Sequence, residues 1–229
     1  MRHFPLLFAC CLFPSCGPKV TPDQAVATAY RYTQVEWMPE QRHVRHGADA
    51  RGIAVQTPDR TLTKPGGWWK PGVMAKSMPY QWGGFDTPET FTAKIAAGKK
   101  AGDIATDAKR KLGDAGTSAE SCGIDCSGFV SRCWNLNHSV STAQLPDICV
   151  RLNSWNDLRP GDILLNNKHV VLFAKWKHPG REIDAYEAGP FPVWRVSACG
   201  LQVEMLKKLG YTPWRFKGMK VVAEKAPGS

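Results

Sequence analysis

The chain has 229 residues, with 30 Lys and Arg against 20 Asp and Glu, which gives a formal net charge of +10. A hydrophobic fraction of 43% is enough to bury a core, so the composition excludes a disordered chain. No apolar run approaches the roughly 20 residues that a membrane span requires. The positive charge suits an anionic partner. We do not expect a nucleic acid, because no recognised nucleic-acid-binding motif accompanies the basic residues.

The N-terminal segment has the form of an export signal. Arg2 precedes an apolar stretch over residues 4–13, and small residues follow that stretch. This order is typical of a secretory signal peptide, which we place at residues 1–16. Ser15-Cys16 resembles the cleavage site of bacterial lipoprotein signals, which implies that Cys16 is lipidated and anchors the chain in a membrane; Cys10 is an alternative. We therefore expect an exported protein of the periplasm or cell envelope, and an outer-membrane lipoprotein if Cys16 is lipidated.

Capping signals mark the first helix. Thr21 is a good N-cap, Pro22 suits the first helical position, and Gln24 completes a capping box. We therefore predict an amphipathic helix over residues 22–37, followed by a region without periodicity. The helix and this region form a predicted N-terminal extension over residues 17–77.

Two short helical patterns lie between Phe85 and Ser121. The first has Thr87 as its cap, with Phe91 and Ile95 four residues apart on one face. The second is predicted to begin at Asp103, because apolar residues recur at helical spacing after it. Both helices precede the sharpest motif of the chain.

The second half of the chain has short apolar or β-branched runs that are broken by turn residues, a pattern typical of an antiparallel meander. The predicted strands cover residues 163–165, 169–176, 183–188, 193–196 and 220–223. A helix is predicted over residues 199–209. Because helices come first and a sheet follows, the predicted fold class is α+β.

The segment from Gly123 to Val130 carries the strongest chemical signal. Gly123 and Asp125 mark a turn, and helical spacing begins immediately afterwards, so Cys126 lies at the N-terminus of a helix. Unpaired N–H groups and the helix dipole favour an anion there, which suits a nucleophilic thiolate and an oxyanion next to it. Such a nucleophile needs a base, and His169, at the start of an apolar strand, is the candidate.

Four segments, in this order, resemble the signature blocks of the NlpC-like cysteine peptidases. They are Pro79 to Gly84, Asp125 to Val130, Leu158 to Asp162, and His169 to Val171. The resemblance covers about residues 78–196 and implies a catalytic domain over residues 78–229. It also implies a papain-like α+β fold, with the catalytic cysteine at a helix N-terminus packed on an antiparallel sheet. Most members of this family cleave amide bonds in bacterial cell-wall stem peptides, commonly next to D-glutamate.

The resemblance assigns roles to individual residues. Cys126 is implied to be the nucleophile, His169 the general base, and Tyr80 a neighbour of the thiolate that donates to the oxyanion. A third polar residue on the next strand orients the histidine in this family. Here the choice lies between Asp184 and Glu187. We predict Glu187, because period-two alternation places it on the partly apolar face of its strand.

Substrate contacts are expected from Trp82, Asp125 and Ser127, which flank the reacting cysteine in the matching blocks. The span from Phe85 to Cys122 is longer than the usual link in the family, and we treat residues 85–121 as an insertion. We expect this insertion to form a wall or lid of the cleft, with lysines that meet substrate carboxylates. The alternative is a surface excursion that lies away from the cleft.

The implied partner is peptidoglycan or its stem peptides, bound by a monomer without a cofactor or a metal ion. Three alternatives remain. The first is a metal site, for which the spacing in the sequence departs from common patterns; its candidates are Cys122, Cys126, Cys133 and His138. The second is a catalytically inactive wall-binding module that uses Trp68, Trp69 and Trp82. The third is a cysteine hydrolase for another acyl substrate, such as a lipid ester, a thioester or a protein amide.

With the reactive cysteine set aside, four cysteines of the predicted mature chain have no assigned role. They are Cys122, Cys133, Cys149 and Cys199. In an oxidising compartment they allow two disulfides in any of three pairings. Four unpaired buried thiols are the alternative.

Overall fold

A computed structural model describes residues 19–59, 67–189 and 193–220. They form an α+β fold, which confirms the predicted class: helices cover both faces of an antiparallel sheet. The predicted signal peptide over residues 1–16 lies outside the described residues. So does the predicted last strand, except for Lys220, which is not part of a strand.

The described residues form helices and strands that are mostly short. The helices are α1 (Pro22–Thr33), α2 (Pro88–Ala96), α3 (Asp107–Leu112), α4 (Cys126–Cys133), α5 (Leu145–Ile148) and α6 (Val203–Lys208), with 3-10 turns at Gln41–His43, Gly113–Gly116 and Trp155–Asp157. The strands are β1 (Glu36–Trp37), β2 (His46–Ala48), β3 (Ala54–Gln56), β4 (Ala75–Lys76), β5 (Lys100–Ala101), β6 (Ser121–Cys122), β7 (Cys149–Arg151), β8 (Ile163–Leu165), β9 (Val170–His178), β10 (Glu182–Ala188), β11 (Val196–Gln202) and β12 (Thr212–Phe216).

The central sheet of the described chain has six strands in the order β11-β10-β9-β8-β12-β7, and every neighbouring pair is antiparallel. The predicted meander is confirmed in strands β8 to β11. Strands β7 and β12, which extend the sheet beyond β8, were not predicted. The sheet is therefore wider than the sequence pattern indicated.

The predicted helix over residues 199–209 is wrong in its first half. Residues up to Gln202 belong to β11, which pairs along its whole length with β10, for example Cys199 with Ala185. The helix α6 begins only at Val203. Cross-strand pairing with β10 determines the conformation here, and it also means that the predicted strand start at residue 193 moves to Val196.

The capping box of α1 is confirmed: the hydroxyl of Thr21 accepts from the Gln24 N–H, and the Gln24 side chain accepts from the Thr21 N–H. The helix ends at Thr33, four residues earlier than predicted. Its predicted last turn is instead the short strand β1, which pairs with β4.

The predicted helix start at Asp103 is also wrong. Asp103 makes a bridge with Gln81, and its buried carboxylate accepts from the Lys109 ammonium and from a backbone N–H of β3. The helix α3 begins at Asp107, with the Thr106 hydroxyl as its cap. In contrast, the predicted cap Thr87 and the buried pair of α2 are confirmed.

Helices on both sides of the sheet use the alternating side chains of β9. Leu172 belongs to the core that contains Phe129 of α4, whereas Phe173 belongs to the core that contains Leu206 of α6. Helix α1 packs behind α4, where the rings of Tyr32 and Phe129 meet edge to face at 5.6 Å. A pair of this geometry contributes about 0.5–1.5 kcal/mol beyond its buried area. The N-terminal helix thus belongs to the same core as α4.

Glycines allow the backbone before the reactive segment to press against α4. A Cβ atom on Gly128 would lie 2.4 Å from the carbonyl oxygen of Gly84, and one on Gly84 would lie 2.6 Å from the carbonyl oxygen of Gly123. These contacts leave no room for a side chain. The Gly84 loop is therefore seated directly on the first turn of α4.

We expect Gly128→Ala to lower the free energy of unfolding, because the added methyl must push backbone against backbone. Overpacking of this kind costs about 1–3 kcal/mol, more than the about 1 kcal/mol that alanine gains in a helix. Urea denaturation measures the change. Gly200→Ala is the control, because its Cβ would meet only the Glu182 side chain at 3.4 Å. Equal stability of the two variants would contradict the close backbone approach.

Candidate active site

The first turn of α4 is organised by the side chain of Asp125. Its carboxylate accepts from the N–H of Gly128 at 2.6 Å, from the N–H of Gly83 at 3.1 Å and from the hydroxyl of Ser127 at 3.1 Å. Burial raises the pKa of Asp125 to about 6, although these three hydrogen bonds act in the opposite direction. At neutral pH the carboxylate is thus ionised, caps α4 and holds the Gly83 loop beside Cys126.

Cys126 is the first residue of α4, as predicted, and only 8% of its surface is exposed. The side chain lines an open cleft of about 820 Å³ together with His169, Tyr80 and Trp82. A thiolate at this position faces the unpaired N–H groups of the first helical turn, which favour negative charge. The predicted nucleophile and base therefore share one cleft.

His169 is held by the turn that precedes β9. The side-chain oxygen of Asn166 accepts from the N–H of His169 at 2.8 Å and from the N–H of Lys168 at 2.9 Å. The Asn166 amide also donates to the carbonyl of Leu209 at 3.1 Å, which ties the turn to the end of α6. Asn166 is a positioning residue that the sequence indicated only as a turn former.

Glu187 contacts the base. Its carboxylate oxygen lies 2.7 Å from Nε2 of His169. The alternative, Asp184, lies on the other side of the strand, where it pairs with Lys175 at 3.5 Å. The contact that we predicted for Glu187 is present, and it leaves Nδ1 of His169 free to face the thiol.

The imidazole of His169 is stabilised in its charged form. Burial alone would lower its pKa, but the neighbouring Cys126 side chain and the Glu187 carboxylate together raise the pKa to about 10. Because this pKa lies far above the ordinary imidazole value of 6.5, the imidazolium persists through neutral pH.

Two tyrosines complete the surroundings of the pair. Tyr80 is buried, and its pKa is raised by burial and by the charges of Cys126 and Asp125, so its phenol remains a hydrogen-bond donor. The ring of Tyr211 stands edge-on to the His169 ring at 6.5 Å and lines the same cleft. Tyr211 was missed by sequence reasoning, since it lies in the unpredicted region before β12.

The predicted substrate-binding residues Trp82, Asp125 and Ser127 all line the cleft. The side chains of Asp125 and Ser127 are hydrogen-bonded to each other, so both also serve to build the first turn of α4. The indole N–H of Trp82 donates to the carbonyl of Gly113 at 3.1 Å, which joins Trp82 to the insertion.

The insertion contributes a wall to the cleft, as expected, through the segment that contains Arg110, Asp114 and Thr117. The expectation that its lysines face the cleft is wrong. Lys109 is buried in the ion pair with Asp103, and Lys94 pairs with Asp86 at 2.5 Å. The cation that the insertion presents to the cleft is Arg110.

The cysteines outside the cleft differ from Cys126. Among the described residues all five cysteines are free thiols. Burial raises the pKa of Cys149 to about 12 and also raises the pKa of Cys122, Cys133 and Cys199. Within the described ranges, no group of three or more His, Cys, Asp or Glu side chains is placed to hold a metal ion, so the residues of the proposed metal site are not brought together.

The tryptophans of the binding-module alternative do not form one surface. Trp69 is buried, with its ring 5.3 Å from that of Trp37, and Trp68 donates to the carbonyl of Trp194 at 2.9 Å. Of the three candidates only Trp82 lines the cleft.

Comparison of this chain with protein-family models, with curated proteins and with solved structures finds no match. Among the described helices, none combines the length and the apolar character that crossing a membrane requires.

The geometry predicts how the pKa of His169 responds to substitution. Cys126→Ala removes the largest influence that raises this pKa and leaves the effect of burial, so we expect a large decrease. Glu187→Gln should lower it less, and Asp184→Asn should leave it unchanged. NMR titration of the histidine rings measures these shifts. A His169 pKa that moves with Asp184→Asn but not with Glu187→Gln would contradict the contact between Glu187 and the ring.

Proposed function

We propose that this chain is a cysteine hydrolase of the NlpC-like type, with a papain-like fold, which cleaves amide bonds in peptidoglycan stem peptides. The observation that carries the proposal is that Cys126 and His169 line one open cleft, where a Glu187 oxygen lies 2.7 Å from Nε2 of His169. A nucleophile, a base and a group that orients the base are the parts that acyl transfer through a covalent intermediate requires.

In the proposed reaction, the Cys126 thiolate attacks the carbonyl carbon of the scissile amide. The oxyanion that forms is stabilised by N–H groups at the start of α4 and by the phenol of Tyr80. The His169 imidazolium gives its proton to the departing amine, which leaves a thioester on Cys126. Neutral His169 then takes a proton from water, and the resulting hydroxide attacks the thioester and releases the acid. Glu187 holds the imidazole and stabilises its charged form throughout.

The substrate class rests on the four sequence blocks that resemble this family and on the charge of the chain. A formal net charge of +10 suits a carboxylate-rich polymer. We further propose that the protein is exported to the periplasm or cell envelope and acts as a monomer without a cofactor. Lipidation of Cys16 would anchor it in a membrane.

The buried Trp69 argues against the wall-binding module, because a binding platform needs exposed aromatic rings. Hydrolysis of a lipid ester, a thioester or a protein amide would use the same residues. Product analysis therefore decides between these substrates and peptidoglycan.

We expect purified sacculi treated with the protein to release peptide fragments, which mass spectrometry identifies. Cys126→Ala should abolish the release while leaving the circular dichroism spectrum intact. His169→Ala should lower the rate about as severely, whereas Glu187→Gln should cost less, because it removes the orienting group but not the base.

Asp184→Asn is the matched control for Glu187→Gln, since it removes a carboxylate from the same strand outside the cleft. Fragment release that survives Cys126→Ala would refute the nucleophile. No Cys126-dependent fragment from sacculi would refute peptidoglycan as the substrate.

A further inference from the structure

Arg110 is the one strongly basic side chain that the insertion presents to the cleft in the described structure. It lies on the exposed side of α3, and its guanidinium stands over the ring of Trp82 at 5.5 Å from the centroid. This contact places the guanidinium beside Trp82, which lines the same cleft. Its N–H groups remain available for a ligand.

The helix that carries Arg110 is fixed from below. The neighbouring residue Lys109 is turned inward, where its ammonium donates to the carboxylate of Asp103 and to the carbonyl of Ile104. Asp103 is in turn joined to the backbone of the Tyr80 segment, with its N–H donating to the Tyr80 carbonyl at 2.8 Å. The side chains of these two consecutive residues thus lie on different sides of α3: Lys109 anchors the helix to the core, and Arg110 lines the cleft.

No carboxylate of the described residues neutralises the charge of Arg110 in an ion pair. Among the described residues it makes no ion pair, although the carboxylate of Asp114 lines the same cleft. The carboxylate of Asp125 is occupied by three hydrogen bonds from its own surroundings. The influence of Arg110 nevertheless reaches the reacting groups, since it acts on the pKa of Tyr80 against the charge of Cys126. A cation of this kind, next to a nucleophile, suits an anion brought by the substrate.

We propose that Arg110 binds a free carboxylate of the peptide substrate next to the scissile amide, and so determines which amide bonds Cys126 attacks. This inference rests on the proposed function and names a specificity residue that lies outside the four sequence blocks. Lys168, on the turn before His169, also lines the cleft. Among the described residues its ammonium has no contact with an aromatic ring, whereas the guanidinium of Arg110 does, so Arg110 is the specific anchor.

The first test uses two reagents that alkylate Cys126 and differ in charge, iodoacetate and iodoacetamide. In both reactions the thiolate sulfur bonds to the methylene carbon and iodide leaves. We expect Arg110→Gln to lower the ratio of the iodoacetate rate to the iodoacetamide rate at Cys126 by about two- to fivefold, the effect of one partly exposed charge. Peptide mass spectrometry after timed quenching measures both rates.

Lys111→Gln is the matched control, because it removes the same charge from the same helix at an exposed position outside the cleft. Its ratio should equal that of the unaltered chain, and Arg110→Lys should keep most of the effect. An unchanged ratio in Arg110→Gln would overturn the proposal, as would an equal fall in Lys111→Gln or a larger fall in Lys168→Gln.

The second test uses stem-peptide substrates that carry either a free carboxylate or a carboxamide next to the cleaved bond. For the carboxylate substrate, Arg110→Gln should raise KM roughly tenfold to a hundredfold, with a smaller change in kcat, as expected for a lost charge-assisted hydrogen bond. For the carboxamide substrate, KM should stay unchanged. Equal KM values for the two substrates in the unaltered chain would overturn the proposal.

The two tests separate the inference from the function on which it rests. If no peptide is hydrolysed in a Cys126-dependent manner, the proposed function fails, and the alkylation ratio still decides whether Arg110 attracts a carboxylate to the cleft. If hydrolysis depends on Cys126 but neither test responds to Arg110→Gln, the function stands and the carboxylate anchor is refuted.

Discussion

The three hydrogen bonds that the Asp125 carboxylate accepts are the interactions on which the rest of the site depends. One side chain caps α4, holds the Gly83 loop and orients Ser127. Tyr80 and Trp82 come just before Gly83 in the chain. The hydrogen bond from Gly83 to Asp125 therefore determines where these side chains lie relative to the thiol of Cys126. Close backbone contacts at Gly84 and Gly128 make this arrangement rigid. The position of the nucleophile is therefore a consequence of backbone packing.

The sheet supplies His169 and Glu187, and strand pairing rather than helix capping positions them. Cross-strand pairing of β9 and β10 brings Glu187 to His169, and the hydrogen bonds of Asn166 fix the turn from which the imidazole projects. Both parts meet at the cleft, which Cys126 and His169 line together. Charges that serve the fold, such as Asp103 with Lys109, are buried away from this cleft.

Local signals predicted the parts of the structure that depend on a few neighbouring residues. The cap Thr21, the cap Asp125 and the alternation that selected Glu187 each act over two to four residues, so the sequence alone contains them. The errors have non-local causes. Asp103 was predicted to start a helix, but its carboxylate accepts from Lys109. Residues 199–202 were predicted as helix, but they pair with β10.

The position of Arg110 in the cleft was not predictable for the same reason. The basic residues of the insertion look alike in sequence, and which of them turns inward depends on where α3 begins. The tertiary bridge between Asp103 and Gln81 delays that start to Asp107. Tyr211 was missed because it directly precedes β12, a strand that was not predicted.

The central claim is that the fold makes Cys126 a reactive thiol and keeps the other described cysteines inert. Brief treatment with iodoacetamide at neutral pH, followed by peptide mapping of the five cysteines, tests it directly. Cys126 should be modified first, well before Cys122, Cys133, Cys149 and Cys199, and His169→Ala should slow its modification. Modification of Cys126 no faster than that of Cys199, the least buried of the other four, would contradict the account.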